Sequence, residues 1–216
     1  SPATPVLTYT PSSSGTPGAG TGISSGNSGA GDLPASSPLY AGGSRGYRMQ
    51  GPSSGTASQQ LTFSGANTTG YSNIKASFQV TAMSIGSSGN GIDNTIDECL
   101  IEVSTNGTVW YQQAKVVTSG TNTRWAFNAT GSGSRAYLAN NSFSSFTVAG
   151  SGTVSGATGI TTATITNLPA TATLYVRITL TNNSGNESWI IDDLVITGEI
   201  PEPTILASPN VANLNY

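Results

Sequence analysis

Charged and ion-binding side chains are scarce in this chain: ten Asp plus Glu, seven Lys plus Arg, one Cys and no His. The absence of imidazole excludes Ser-His-Asp and Cys-His hydrolysis, His-containing zinc sites and His general acid–base catalysis. The acids fall into two groups. Asp192 and Asp193 are adjacent within Trp189-Ile-Ile-Asp-Asp-Leu-Val-Ile196, and Asp93, Asp97, Glu98 and Glu102 lie where a Gly-containing turn leads into an apolar run. Neighbours on a strand point to opposite faces, so Asp192 and Asp193 cannot act together on one substrate, and a glycosidase needs two carboxylates converging from the same side. No such convergent pair is legible in the sequence.

One of the two adjacent acids must nevertheless lie on a largely apolar face, where a carboxylate needs a partner. Two partners are available. A hairpin centred near Ser184 would set Arg177 opposite Asp192 as an ion pair. Alternatively, Asp193 or Asp192 would hold a structural Ca²⁺ together with oxygens from another segment. Asp93 and Asp97 flank turns and offer loop oxygens to a cation in the same way, though the same acids also read as solvated charge at a strand entrance. The candidate metal ligands are therefore Asp193, Asp192, Asp97 and Asp93.

Among the aromatics, Trp110 and Trp125 lie near turns and are the candidates for a sugar-stacking platform, because a pyranose ring presents C–H groups that pack on an aromatic face. Tyr111 and Arg124 adjoin them and complete the candidate ligand-binding set, each pointing to the face opposite its neighbour. Trp189 belongs to the core. A His-free enzyme would require Tyr137, Arg124 or Arg135 to converge with a carboxylate in one cleft.

The elements that position these groups follow from composition and pattern. The 216 residues include 31 Ser, 30 Thr and 27 Gly, with 36% hydrophobic and 8% charged residues, which disfavours helices and favours strands joined by turns. The net charge is −3 and there is no basic run, so a nucleic-acid or anionic-membrane footprint is missing. No stretch approaches the roughly 18 apolar residues of a membrane helix. Cys99 cannot form an internal disulfide and reads as a small buried hydrophobe. The Ser/Thr/Gly/Asn-rich, Lys-poor character points to a secreted protein.

Residues 1–56 are dominated by Gly, Ser and Pro and read as a segment lying over the rest. From residue 57 the period of two is clear. Ile74, Ala76, Phe78, Val80 and Ala82 form one apolar face, and Thr105-Asn-Gly-Thr108 marks a hairpin between apolar runs. Arg124–Phe127, Ala136–Leu138, Phe143–Val148 and Ile160–Ile165 read as further strands. In 189–196 both alternating sets are apolar, which predicts a central strand covered on both faces. The expectation is an all-β antiparallel sandwich of jelly-roll type with about ten strands over 57–198. Residues 199–216 are expected to be a linker and the start of a following module.

Three pieces carry a resemblance: Tyr71-Ser-Asn-Ile-Lys-Ala-Ser-Phe78, Glu102-Val-Ser-Thr-Asn-Gly-Thr-Val-Trp110 and Trp189-Ile-Ile-Asp-Asp-Leu-Val-Ile-Thr-Gly198. In that order they resemble the jelly-roll modules appended to large secreted bacterial proteins, including type IX secretion cargo, and more distantly the MAM domain. The resemblance implies a non-catalytic extracellular or cell-surface accessory module, often carbohydrate-binding or adhesive and sometimes holding a structural cation. Its partners would be a polysaccharide or cell-surface glycan and neighbouring domains of the same chain. A ligand-free structural spacer is the alternative.

Overall fold

The computed structural model describes residues 7–24, 34, 39–86, 90–94, 96–154 and 156–202. The expected following module at 205–216 lies outside the described residues. Twelve strands are described in chain order: β1 (Tyr9–Ser14), β2 (Gly22–Ser24), β3 (Gly46–Gln50), β4 (Ala57–Phe63), β5 (Ser72–Ser84), β6 (Glu98–Ser104), β7 (Tyr111–Thr118), β8 (Gly131–Ala136), β9 (Ser144–Val148), β10 (Ile160–Leu168), β11 (Tyr175–Asn182) and β12 (Glu187–Glu199). They form two six-stranded sheets, sheet I in the order β1-β4-β11-β6-β7-β9 and sheet II in the order β2-β3-β12-β5-β10-β8. Pairing is antiparallel except at one edge of each sheet, where β9 runs parallel to β7 and β8 parallel to β10. The expected β-sandwich is therefore the observed architecture. Part of the excess over ten strands comes from β1, β2 and β3 in the Gly-rich first segment, whose backbones add to β4, β3 and β12. No helix among the described residues is long and apolar enough to cross a membrane.

The period-two faces meet between the sheets. Ile74, Ala76, Phe78, Val80 and Ala82 of β5 are buried against Val176, Ile178 and Leu180 of β11 and Ile101 and Val103 of β6 within one continuous core. Two tryptophans occupy its centre: Trp125 and Trp189 are both fully buried, with ring centroids 5.9 Å apart at 79°. Cys99 is buried in the same core, and burial pushes its thiol far above the usual range, so it is inert.

β12 is central and covered twice, as its two apolar faces require. Trp189 and Ile191 enter the main core, while Ile190 packs outside sheet II with Leu39, Met83 and Phe127. The hairpin expected between Leu174–Leu180 and Trp189–Ile196 does not form. Instead β11 sits between β4 and β6 of sheet I while β12 sits between β3 and β5 of sheet II, and residues 183–186 carry the chain from one sheet to the other. Arg177 consequently faces Thr62 and Glu102 instead of Asp192. The expected strand Arg124–Phe127 is also replaced: two isolated bridges, Arg124 to Thr153 and Trp125 to Ala82, anchor this stretch, and the indole turns into the core.

Candidate cation site and binding surfaces

At the end of the sandwich where β5 leads into β6 and β11 into β12, three carboxylates converge. Asp93, Asp97 and Glu187 each present an oxygen, all within 4.8 Å of one another. Asp97 and Glu187 are only 2% and 4% exposed. The loop that carries two of them is held by its backbone. Asp97 Oδ2 accepts from the Asp93 amide at 2.6 Å, Asp93 Oδ1 accepts from the Asn122 amide at 2.7 Å, and Ile92 and Thr123 exchange amide hydrogen bonds. Gly91 has φ +147°, and any Cβ there would collide with the Asn122 backbone, so this close approach requires glycine.

Other groups of the site remain unpartnered. Asp97 Oδ1, Glu187 Oε2 and the hydroxyl of Ser84, which is paired across the ladder with Glu187, are buried without a hydrogen-bond partner. Burial, joined by the neighbouring acids, raises Asp97 to about 6 and Glu187 to about 8. Among the described residues no cation forms an ion pair with any of the three acids. The three residues can hold a metal ion.

This arrangement corrects two expectations. Carboxylates do converge, from loops and a strand start rather than from one strand. Glu187 was missed by sequence reading because it lies ninety residues from Asp97; its only signal was an acid opening a strand whose next four residues are all buried. Asp192 and Asp193 are not part of the cluster. Asp192 Oδ2 accepts from the amides of Ala41 and Gly42 at 2.7 and 3.0 Å, and its Oδ1 accepts from the Asp193 amide. Backbone amides, and not Arg177, are its partners. Asp193, at φ +50°, forms part of a bulge in which the pairing with β5 skips from Asp192 to Val195.

The candidate ligand-binding residues separate. Trp125 is fully buried and donates its Nε1–H to the carbonyls of Val80 and Ile160, so it cannot offer a face to a sugar. Arg124 is 6% exposed and its Nη1 donates to the carbonyls of Asn90 and Asn122; it ties the loop carrying Asp93 to the chain beneath it. Tyr111 pairs across the ladder with buried Val103 and is itself partly buried. Among the described residues Arg124 and Arg135 form no ion pair with a carboxylate, and Arg135 donates to Ser144 Oγ.

Trp110 alone of the four stays on the outer face of sheet I, half-buried. The Arg177 guanidinium lies over its ring at 4.1 Å, and the ring of Tyr175 stands against it with centroids 6.3 Å apart at 63°. Arg177 Nε donates to Glu102 at 2.7 Å. Gly65 and Gly107 flank the Tyr175 ring and leave it room to lie close to the backbone. The result is a rigid aromatic pair beside a guanidinium whose terminal N–H groups have no hydrogen-bond partner among the described residues. Further along the same face Lys115 pairs with Glu98 at 2.8 Å and lies over Phe143 at 4.7 Å.

No family model matches the sequence, and no curated protein matches it. Among solved structures the chain is similar to TmCBM61 in complex with β-1,4-galactotriose, with a TM-score of 0.48 and 10% identity over 88% of each chain.

Proposed function

We propose that this chain is a non-catalytic, extracellular saccharide-binding module that is stabilised by Ca²⁺ at Asp93, Asp97 and Glu187 and contacts its glycan through the outer face of sheet I. The observation that carries the binding role is the Trp110–Tyr175 pair set beside Arg177. An aromatic face takes the C–H side of a pyranose, and a fixed guanidinium next to it takes hydroxyls, which is the pairing of surfaces that a saccharide presents. Stacking by Arg177 and close packing on Gly65 and Gly107 fix the rings before binding, so little side-chain entropy is lost on contact.

Affinity electrophoresis through gels containing single polysaccharides, β-1,4-galactan among them, tests this reading. Retardation on at least one polysaccharide is expected, with affinity reduced roughly tenfold or more in Trp110→Ala, since one stacked ring contributes more than about 1.4 kcal/mol. Trp110 is only half-buried, so that variant should melt close to the parent protein. Free migration in every gel would remove the saccharide and leave the spacer reading, in which the Arg177–Trp110 stack merely rigidifies the sheet.

A further inference from the structure

Between the first strands of the two sheets lies a groove of about 910 Å³ that the proposed saccharide surface does not use. Its floor is the core itself: Leu61, Phe78 and Ile191 are 1–4% exposed and carry no polar side-chain atom. Its walls include Tyr9, Tyr47 and Phe63, which pack on one another with Tyr9 centroids 5.6 Å from Tyr47 and 5.7 Å from Phe63. At the mouth Ile23 is 59% and Val195 47% exposed, an unusual degree of apolar exposure on strands whose other ends are covered. The β12 bulge shapes this opening: with Asp193 at φ +50° and the β5 pairing skipping to Val195, residues 193–195 leave the regular ladder at the edge of the groove.

We propose that this groove binds an amphipathic small molecule with an alkyl or aryl body and a carboxylate end. Hydroxyls placed on this floor would lose water and find no partner there, so the floor takes an apolar body. The anionic end follows from the charges at the mouth. Arg45 lines it and has no ion pair among the described residues, whereas Asp192 is already satisfied by three backbone amides, and Asp193 lies with its Oδ2 against Gly42 and forms no ion pair with Arg45. Arg45 is thus the cation of the cavity's lining, with no ion pair among the described residues, and a fatty or aryl carboxylate would pair with it while Asp192 keeps its amides. The site is independent of the glycan reading and of the cation.

Isothermal titration of the whole chain with straight-chain carboxylates from hexanoate to dodecanoate, each below its micelle concentration, and with the alcohols of equal length tests the proposal. Affinity should rise about three- to fourfold per methylene. Arg45→Gln should reduce carboxylate affinity to that of the matching alcohol and leave the alcohol unchanged. Val195→Trp, at an exposed position, should block the mouth and abolish binding without lowering the melting temperature; Ile23→Glu serves as a second mouth variant should Val195→Trp unfold. An affinity independent of chain length, or carboxylate binding untouched by both mouth variants, would overturn it. So would loss of polysaccharide retardation in a folded mouth variant, since the groove would then be the glycan site. Flotation with phosphatidylglycerol vesicles, expected to be absent, would if seen assign the groove to bilayer chains and overturn the free-ligand proposal.

Discussion

Titrating Ca²⁺ into EDTA-stripped protein should raise its melting temperature by roughly 5–10 °C once the ion reaches about a hundred times its dissociation constant. A ligand that binds only the folded state contributes about 2.7 kcal/mol at that ratio, and a chain of this size shifts by about 2–4 °C per kcal/mol. The sign of the variants is more telling than the shift. In Ca²⁺, Asp97→Asn and Glu187→Gln should both be less stable than the parent, because each removes a ligand. In EDTA at pH 8 the order should invert, because each amide removes a buried acid that must otherwise be held protonated or left charged among two others. Asp193→Asn should respond to Ca²⁺ like the parent, since Asp193 lies outside the cluster. Parent and variants that melt alike with and without Ca²⁺ would sink the cation site.

The pH profile follows from the same cluster. An unfolded Glu187 loses its proton near its ordinary 4.5, whereas in the cation-free fold burial and the two neighbouring acids hold the proton to about 8. Between those values the unfolded state binds fewer protons than the folded state, so stability falls as pH rises through this window. Asp97, raised from 3.8 to about 6 by burial, adds to the loss over its own narrower range. The total is on the order of a few kcal/mol. Bound Ca²⁺ reverses the slope: it requires both carboxylates ionised, so the stabilisation is present at neutral pH and is lost as acid protonates the ligands. Urea midpoints at pH 5 and pH 8, with and without Ca²⁺, check this. A cation-free midpoint that rises from pH 5 to pH 8 would contradict it.

How far the sequence reached can be seen residue by residue. The β5 face from Ile74 to Ala82 and the doubly apolar β12 are properties of one segment each, and periodicity reads them without knowing what they pack against. Asp93 and Asp97 were legible as a pair for the same reason, being four residues apart on one loop. Glu187 was not, because its partnership depends on β12 starting beside β5, a long-range fact that no local pattern carries. The ion pair failed likewise: Arg177 was matched to Asp192 by assuming that consecutive strands pair, and the chain instead changes sheets between them. Trp110 and Trp125 could not be separated from sequence, since both stand near turns. Only the bridge from Trp125 to Ala82 decides which one points inward.

That decision has the largest single-residue consequence in the molecule. Trp125 fills the centre of the core against Trp189, and its indole N–H satisfies two carbonyls, Val80 at 3.2 Å and Ile160 at 2.8 Å. Trp125→Ala should cost about 3–5 kcal/mol from lost burial and the cavity left behind, lowering the melting temperature by roughly 10 °C or more. Trp125→Phe keeps most of the volume but leaves both carbonyls without their donor in a site that water does not reach, which should still cost about 1–3 kcal/mol. Because the ring is fully covered, the Phe variant should retain the polysaccharide affinity of the parent at temperatures where it is folded, in contrast to Trp110→Ala, which should lose affinity and keep stability. Measuring melting and gel retardation on both variants separates the two tryptophans. A Trp125→Phe protein that melts like the parent but no longer binds would mean that Trp125, not Trp110, meets the glycan.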